Sequence, residues 1–324
     1  MLGLILMFAG SVTFTNRPAR RFIAQLPIAH PREQALGGDV TYPVLPTSRP
    51  LVPVERDKTV FDKPLSAASA IVVDDRTNTV LFSLNAEAVR PLASISKLMS
   101  ALVLNDLNLD WATTTIITTE ESDGSDHHTN VGEEFTLEDL WHIALVGSSN
   151  SAIEALVHAS GLTEDGFVAL MNKKAADFNL SSMRFAEPTG LNSDNVGSAS
   201  DVARLLKEAL RVDKIFTTLQ IGEYYAHPIN NDKSRRVWTT DSLLTNLLPS
   251  DFDKDTIAGK TGYIVESGYN FTVRLADNKH HTLRVVVLGA NSNQARFSEA
   301  RDLAEWTFSH YVWPDEAGYG KLVE

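Results

Sequence analysis

The sequence contains no cysteine. That removes disulfides, a thiol nucleophile, zinc–thiolate centres and iron–sulfur ligation together, and it leaves the redox compartment open. No apolar run approaches the ~20 residues that cross a bilayer. The longest, Leu2 to Phe14, is followed rather than preceded by its basic residues, Arg17, Arg20 and Arg21. Positive charge is scarce: 29 Lys and Arg face 41 Asp and Glu, a formal net charge of −12. A nucleic-acid binder draws its affinity largely from neutralising phosphates, so that class is disfavoured. No G-x-G-x-x-G or Walker loop supports a nucleotide site, and no internal repeat is visible.

What remains is ample for a core. The 324 residues are 43 % hydrophobic, enough for one large or two modest domains. Residues 1–26 read as an imperfect export signal or membrane anchor, the alternative being a buried local helix. Residues 27–65 read as a linker, because eight of the 13 prolines fall within the first 64 positions and proline favours extended, unpaired backbone. The alternative is a terminal arm packed on the following domain. Regular patterning covers 66–313, and 314–324 form a C-terminal tail.

Ala70–Val73 and Val80–Phe82 flank a turn-like Asp75–Asn78 and predict a hairpin. Ile95, Leu98, Met99, Leu102 and Val103 mark one helical stripe. Thr136 with Asp139 three residues later predicts a helix start, and further helices follow Asn150 and Thr163. Asn270–Leu275 and Leu283–Leu288 are strand-like, and a last helix carries Phe297, Ala300, Leu303, Ala304 and Phe308. Strands first and last with helices between them predict an α+β fold: an antiparallel sheet flanked by helices, with an all-helical subdomain inserted.

Ser94 and Lys97 open the striped helix. Three residues apart on a helix, their Cβ atoms lie roughly 5–6 Å apart on one face. A serine hydroxyl becomes a useful nucleophile when a base takes its proton, and lysine serves where burial and a neighbouring cation lower its pKa. Alone the motif carries little weight, since about one S-x-x-K is expected by chance in such a chain. Two further motifs change that. Ser148-Ser149-Asn150 lies between two helices, and Lys260-Thr261-Gly262 precedes the C-terminal strands. S-x-x-K, S-x-N and K-T-G in this order form the set shared by penicillin-binding proteins and class A β-lactamases. Ser193-Asp194-Asn195 also reads S-x-N, but its polar setting marks it as turn chemistry. Adjacent His127 and His128 point apart, with no third ligand spaced to complete a metal site. His142 and His158 read as packing or surface residues.

From about Ser66 to Tyr311 the chain resembles the low-molecular-weight penicillin-binding proteins, the serine-type D-alanyl-D-alanine carboxypeptidases. Beyond the three motifs, the matching stretches are Arg90–Lys97, Glu187–Leu191, Lys260–Tyr263, Ser267–Asn270 and Leu288–Ala290. The resemblance implies the penicillin-binding protein/β-lactamase-like transpeptidase fold with its site in the groove between sheet and helices. It also implies Ser94 as the acylated nucleophile, Lys97 as its base and Ser148 as the proton relay to the leaving amine. Asn150 would order Lys97 and bind the peptide; Lys260 would hold the Ser148 relay in its active charge state and help attract the substrate carboxylate, Thr261 would hydrogen-bond that carboxylate, and Gly262 would line the same end. The backbone N–H groups of Ser94 and Tyr263 would form the oxyanion hole, and Arg296 would grip the terminal carboxylate, as arginine does bidentately.

The implied partners are a peptidoglycan stem peptide ending in D-Ala-D-Ala and, as covalent inhibitors, β-lactams. No metal or organic cofactor is implied, and the expected location is extracytoplasmic. The rival readings are an endopeptidase of the same family, suggested by the absence of an evident second β-domain or amphipathic tail, a class A-like β-lactamase and an inactive wall-binding module. The β-lactamase requires E-x-x-L-N, whereas Glu187–Asn192 is one residue longer. The inactive module has no need of a nucleophile paired with a base.

Overall fold

The computed structural model describes residues 51–122, 126–245 and 247–323. The leader reading and most of the linker reading fall outside these residues. Where the 27–65 stretch is described, Val54–Glu55 pairs antiparallel with Tyr311–Val312, and the hydroxyl of Tyr319 donates to the carbonyl of Val52 at 2.8 Å.

Five antiparallel strands form the central sheet: β1 (Ser69–Asp74), β2 (Val80–Leu84), β3 (Ala258–Ile264), β4 (Gly268–Ala276) and β5 (Thr282–Ala290), in spatial order β3-β4-β5-β1-β2. The first two strands thus sit beside the last three, as the strands-first-and-last order predicts. Both faces of the sheet are covered, and the period of two sorts the side chains. Ala70, Val72, Val273, Val285 and Val287 join one core with Phe297, Ala300 and Leu303 of helix α7 (Asn293–His310). Ile71, Val73, Val286 and Leu288 join a second core shared with the helical region. That double burial explains why β1 reads as a continuous apolar run.

The helical region comprises α1 (Lys97–Asp106), α2 (Leu137–Val146), α3 (Asn150–Ala159), α4 (Glu164–Asp177), α5 (Ala199–Leu210) and α6 (Asp213–Leu219). Thr136, Ser149, Thr163 and Ser198 cap α2, α3, α4 and α5, each accepting the N–H three residues on, a contact worth about 1 kcal/mol over alanine. The striped-helix expectation needs one correction. Residues 93–96 form a separate 3-10 turn, α1 starts only at Lys97, and every residue from Lys97 to Leu104 is buried. A helix wrapped on all sides is central rather than amphipathic, so the stripe underestimates how deeply Lys97 lies.

Candidate active site

Ser94 sits in the 3-10 turn, and its backbone is fixed from three directions. The amide nitrogen of Asn270 donates to the carbonyls of Pro91 and Leu92 at 3.0 and 3.1 Å. The N–H of Leu92 donates to the carbonyl of Asn195 at 2.8 Å. Ala93 adopts φ +51°, a left-handed conformation that alanine rarely takes, of the kind that persists where surrounding structure over-determines it. Gly190 shows how tightly the turn is enclosed: at φ +93°, a Cβ there would lie 2.0 Å from the carbonyl oxygen of Ala93. Asn195 of the second S-x-N is itself buried and bonds Ala186, Glu187 and the turn before Ser94, so the turn reading stands.

The amine of Lys97 is fully enclosed and meets three oxygens: Ser94 Oγ at 2.9 Å, Asn150 Oδ1 at 2.5 Å and the carbonyl of Thr189 at 2.7 Å. Two of these partners only accept, while the third, a hydroxyl, can donate or accept. The Lys97 N–H groups donate to all three, and loss of one proton would leave a lone pair within reach of the Ser94 hydroxyl. The arrangement therefore fits a base for the serine proton. Thr189 is presented by a loop folded on the carboxylate of Glu187, which accepts the N–H groups of Thr189 and Gly190, each at 2.6 Å.

Ser148 lies in a left-handed conformation, φ +62°, between α2 and α3. Its hydroxyl is 2.6 Å from the amine of Lys260. One short segment thus holds both lysines, Ser148 touching Lys260 and Asn150 touching Lys97. Burial, then the neighbouring Lys97 and Arg296, holds the Lys260 amine well below its ordinary value, against the opposing pull of Asp241. Among the described residues no carboxylate lies within ion-pair distance of Lys260 or Arg296. Positive charge without an adjacent counter-ion suits an anionic substrate end.

Strand β3 forms the other wall. Among the described residues it is an edge strand, paired only with β4, and Gly262 brings it against the serine turn. A Cβ at Gly262 would meet the carbonyl oxygen of Leu92 at 2.7 Å and the nitrogen of Ile95 at 3.2 Å. The hydroxyl of Thr261 donates to that of Thr240 at 2.6 Å, and Tyr263 is half exposed and stacked on Tyr269 at 4.3 Å. Arg296 is buried behind this wall, donating to the carbonyls of Gly262 at 3.1 Å and Asn270 at 3.3 Å, and to Asn293.

Sequence reasoning gave no role to several residues here. Thr189 supplies a carbonyl, Asn270 braces the turn and Thr240 orients Thr261. Asp241, 2 % exposed, takes the N–H groups of Leu243 and Leu244 on one oxygen, leaving the other unbonded. Burial raises its carboxyl to about 6, opposed by those two bonds, Lys254 and Arg296. Asp126 and the two histidines stand beside Ser148: with Gly147 to Asn150 they line a cavity of about 220 Å³. Ser149 donates its hydroxyl to Asp126. Among the described residues no group of three or more His, Asp or Glu is placed to hold a metal ion.

Residues 56–292 match the family model described as D-alanyl-D-alanine carboxypeptidase. A D-alanyl-D-alanine endopeptidase of Pseudomonas aeruginosa is 32 % identical over 252 residues, covering 76 % of this chain and 78 % of that protein. The corresponding endopeptidase of Escherichia coli is 29 % identical over 262 residues, covering 79 % and 82 %. Among solved structures, a DD-transpeptidase of Streptomyces superposes with a TM-score of 0.67 at 22 % identity, covering 77 % of this chain and all of that one. That likeness shows the fold.

Proposed function

The chain belongs to the D-alanyl-D-alanine carboxypeptidase family, and on that premise we propose that it removes the terminal D-Ala from peptidoglycan stem peptides through an acyl-enzyme on Ser94. The observation that carries the reading is the Lys97 amine, 2.9 Å from Ser94 Oγ and anchored there by Asn150 and the carbonyl of Thr189. In the first step Lys97 takes the serine proton while Ser94 Oγ bonds to the carbonyl carbon of the penultimate D-Ala. The oxyanion is received by the backbone N–H groups of Ser94 and Tyr263; one such donor is worth roughly 3 kcal/mol of barrier. The C–N bond then breaks, and the departing amine gains its proton through Ser148, which Lys260 orients. Water next attacks the ester, restoring Ser94 and releasing the shortened stem.

Lys260, Thr261 and Gly262 form the end of the groove assigned to the terminal carboxylate, with Arg296 directly behind them bonding the Gly262 carbonyl and Asn150 on the peptide backbone. A β-lactam follows the same first step, but its amine stays tethered after ring opening, so the ester persists. Such a substrate places the domain, assigned to residues 66–313, outside the cytoplasm. Leu2–Phe14 is then an export signal or anchor, although among the described residues no helix is long and apolar enough to cross a membrane.

A second reading is favoured by the relatives: those at 29 % and 32 % identity are named endopeptidases, which places hydrolysis of D-Ala cross-links beside the carboxypeptidase reaction. Incubating the protein with a monomeric pentapeptide and with a cross-linked muropeptide dimer separates the two. Free D-Ala from the first supports the main reading; cleavage of the dimer alone replaces it with the second. No product from either, from protein that is folded, overturns both.

A further inference from the structure

A two-stranded hairpin, Glu223–Ala226 paired with Arg235–Trp238, stands beside the groove, and the motifs account for none of it. Its inner face is fastened down. Tyr224 stacks on His142 of α2 at 4.3 Å and donates its hydroxyl to Asp139 at 2.7 Å. Val237 is fully buried, and its side chain contacts the Cα environment of Gly147, next to Ser148. Its outer face is open and ordered by its own contacts. Register places Glu223 opposite Trp238 and Tyr225 opposite Arg236, so these four side chains share one side of the ribbon. The Arg236 guanidinium lies 3.9 Å from the centre of the Trp238 ring and 5.8 Å from that of Tyr225. It also donates to both carboxylate oxygens of Glu223. Trp238 and Tyr225 nevertheless remain 51 % and 49 % exposed.

Two features give this face a direction and an occupant. Thr240 follows Trp238 by two residues, just past the end of the strand, and its N–H donates to the carbonyl of Val146 at 3.3 Å. The hydroxyl of Thr240 is the one that bonds Thr261 in the wall of the groove. The guanidinium covers one face of the indole, and the half of Trp238 still exposed matches a pyranose, whose C–H face stacks on aromatic rings while its rim hydroxyls seek donors and acceptors. Because Arg236 is already held by Glu223 and Trp238, little side-chain freedom is lost on binding. A protein partner is a poorer fit, since stable interfaces engage roughly 20–30 residues a side, and this face offers four.

We propose that the outer face of this hairpin, centred on Trp238 with Tyr225 and Arg236, binds the aminosugar chain that carries the stem peptide in the groove. The proposal rests on the peptidoglycan reading above and extends it from the peptide to the glycan. A four-residue stem spans at most about 14 Å, so with its far end in the groove its sugar end lies within that reach of the groove wall to which Thr240 joins the hairpin.

The test compares the full-length protein with Trp238→Ala on a disaccharide-pentapeptide and on the same pentapeptide without sugar, with thermal unfolding to confirm that the variant is folded. The wild type is expected to show a KM about 5- to 20-fold lower for the sugar-bearing substrate. In Trp238→Ala that advantage disappears, while kcat and the bare-peptide KM stay unchanged. Equal KM values in the wild type, or an equal loss on both substrates, overturn the proposal. A parallel titration with peptide-free glycan strands, read by calorimetry, needs no turnover. Saturable binding by the wild type and not by the variant supports the platform even if the peptidase reading fails, and no binding by the wild type overturns it even if that reading holds.

Discussion

Replacing Gly262 by alanine probes the contact on which the groove depends. Gly262 lies in β3 opposite Asn270, and the added methyl would fall 2.7 Å from the carbonyl oxygen of Leu92, 3.2 Å from Ala93 Cβ and 3.2 Å from the nitrogen of Ile95. The atoms in its way are main chain and Cβ, not the end of a flexible side chain. The Leu92 carbonyl is in addition held by Asn270 at 3.1 Å, so it cannot turn aside without breaking that bond. Restoring ordinary contact, at 3.4 Å or more, requires the strand and the serine turn to part by about 0.7 Å. Misplacement of about 1 Å in reacting groups costs on the order of 100-fold, so acylation should slow by roughly 10- to 100-fold. Overpacking costs about 1–3 kcal/mol of stability, partly offset by the ~0.5–1 kcal/mol that alanine gains over glycine within a strand. The assay is the second-order rate of labelling by a fluorescent penicillin, with thermal unfolding alongside. Gly222→Ala, where a Cβ meets nothing within 4 Å, serves as the control and should label at the wild-type rate. A folded Gly262→Ala protein that labels as fast as the wild type would refute the claim that this wall fixes Ser94.

Three other substitutions read separate parts of the account. Asp241→Asn keeps the acceptor for Leu243 and Leu244 but removes the charge that faces Lys260, Arg296 and Lys254. Lys260 then loses its proton more readily, so the alkaline limb of the acylation rate profile moves to lower pH by about one pH unit; an unmoved limb rejects that role. Glu154 is raised to about 7 by burial, then by Glu164 and Glu187, against an ordinary 4.5. The native state therefore keeps a proton that the unfolded chain releases, and stability falls as pH rises through that window, by about 3 kcal/mol at most. In urea titrations Glu154→Gln should match the wild type near pH 4.5 and exceed it at pH 8, and equal stability at both would contradict the sign. Arg296→Ala should raise KM at least about 10-fold for substrates with a free C-terminal carboxylate while changing amidated ones far less; an equal effect on both would remove the carboxylate role.

The parts legible in sequence are those written in local pattern. Cap residues such as Thr136 and Thr163 announce their helices, short apolar runs flanking turn residues announce the β1–β2 hairpin, and three short motifs name Ser94, Lys97, Ser148, Asn150 and Lys260. Residues that act through distant backbone leave no such mark. Thr189 contributes a carbonyl that every residue possesses, and Asn270 reaches Leu92 across 178 positions. Asp241 and Thr240 matter only because the chain returns beside β3. The break between the serine turn and α1 was equally hidden, since an apolar stripe cannot distinguish a one-sided helix from one enclosed on every side.

The central claim is that Ser94 forms the covalent bond and Lys97 makes it reactive. Intact-mass and peptide mapping after exposure to a β-lactam measures this directly, in the wild type, Ser94→Ala and Lys97→Ala. One adduct per chain on the peptide containing Ser94, absent from the first variant and strongly slowed in the second, is the predicted result. An adduct on another residue, or undiminished labelling of Ser94→Ala, would contradict it.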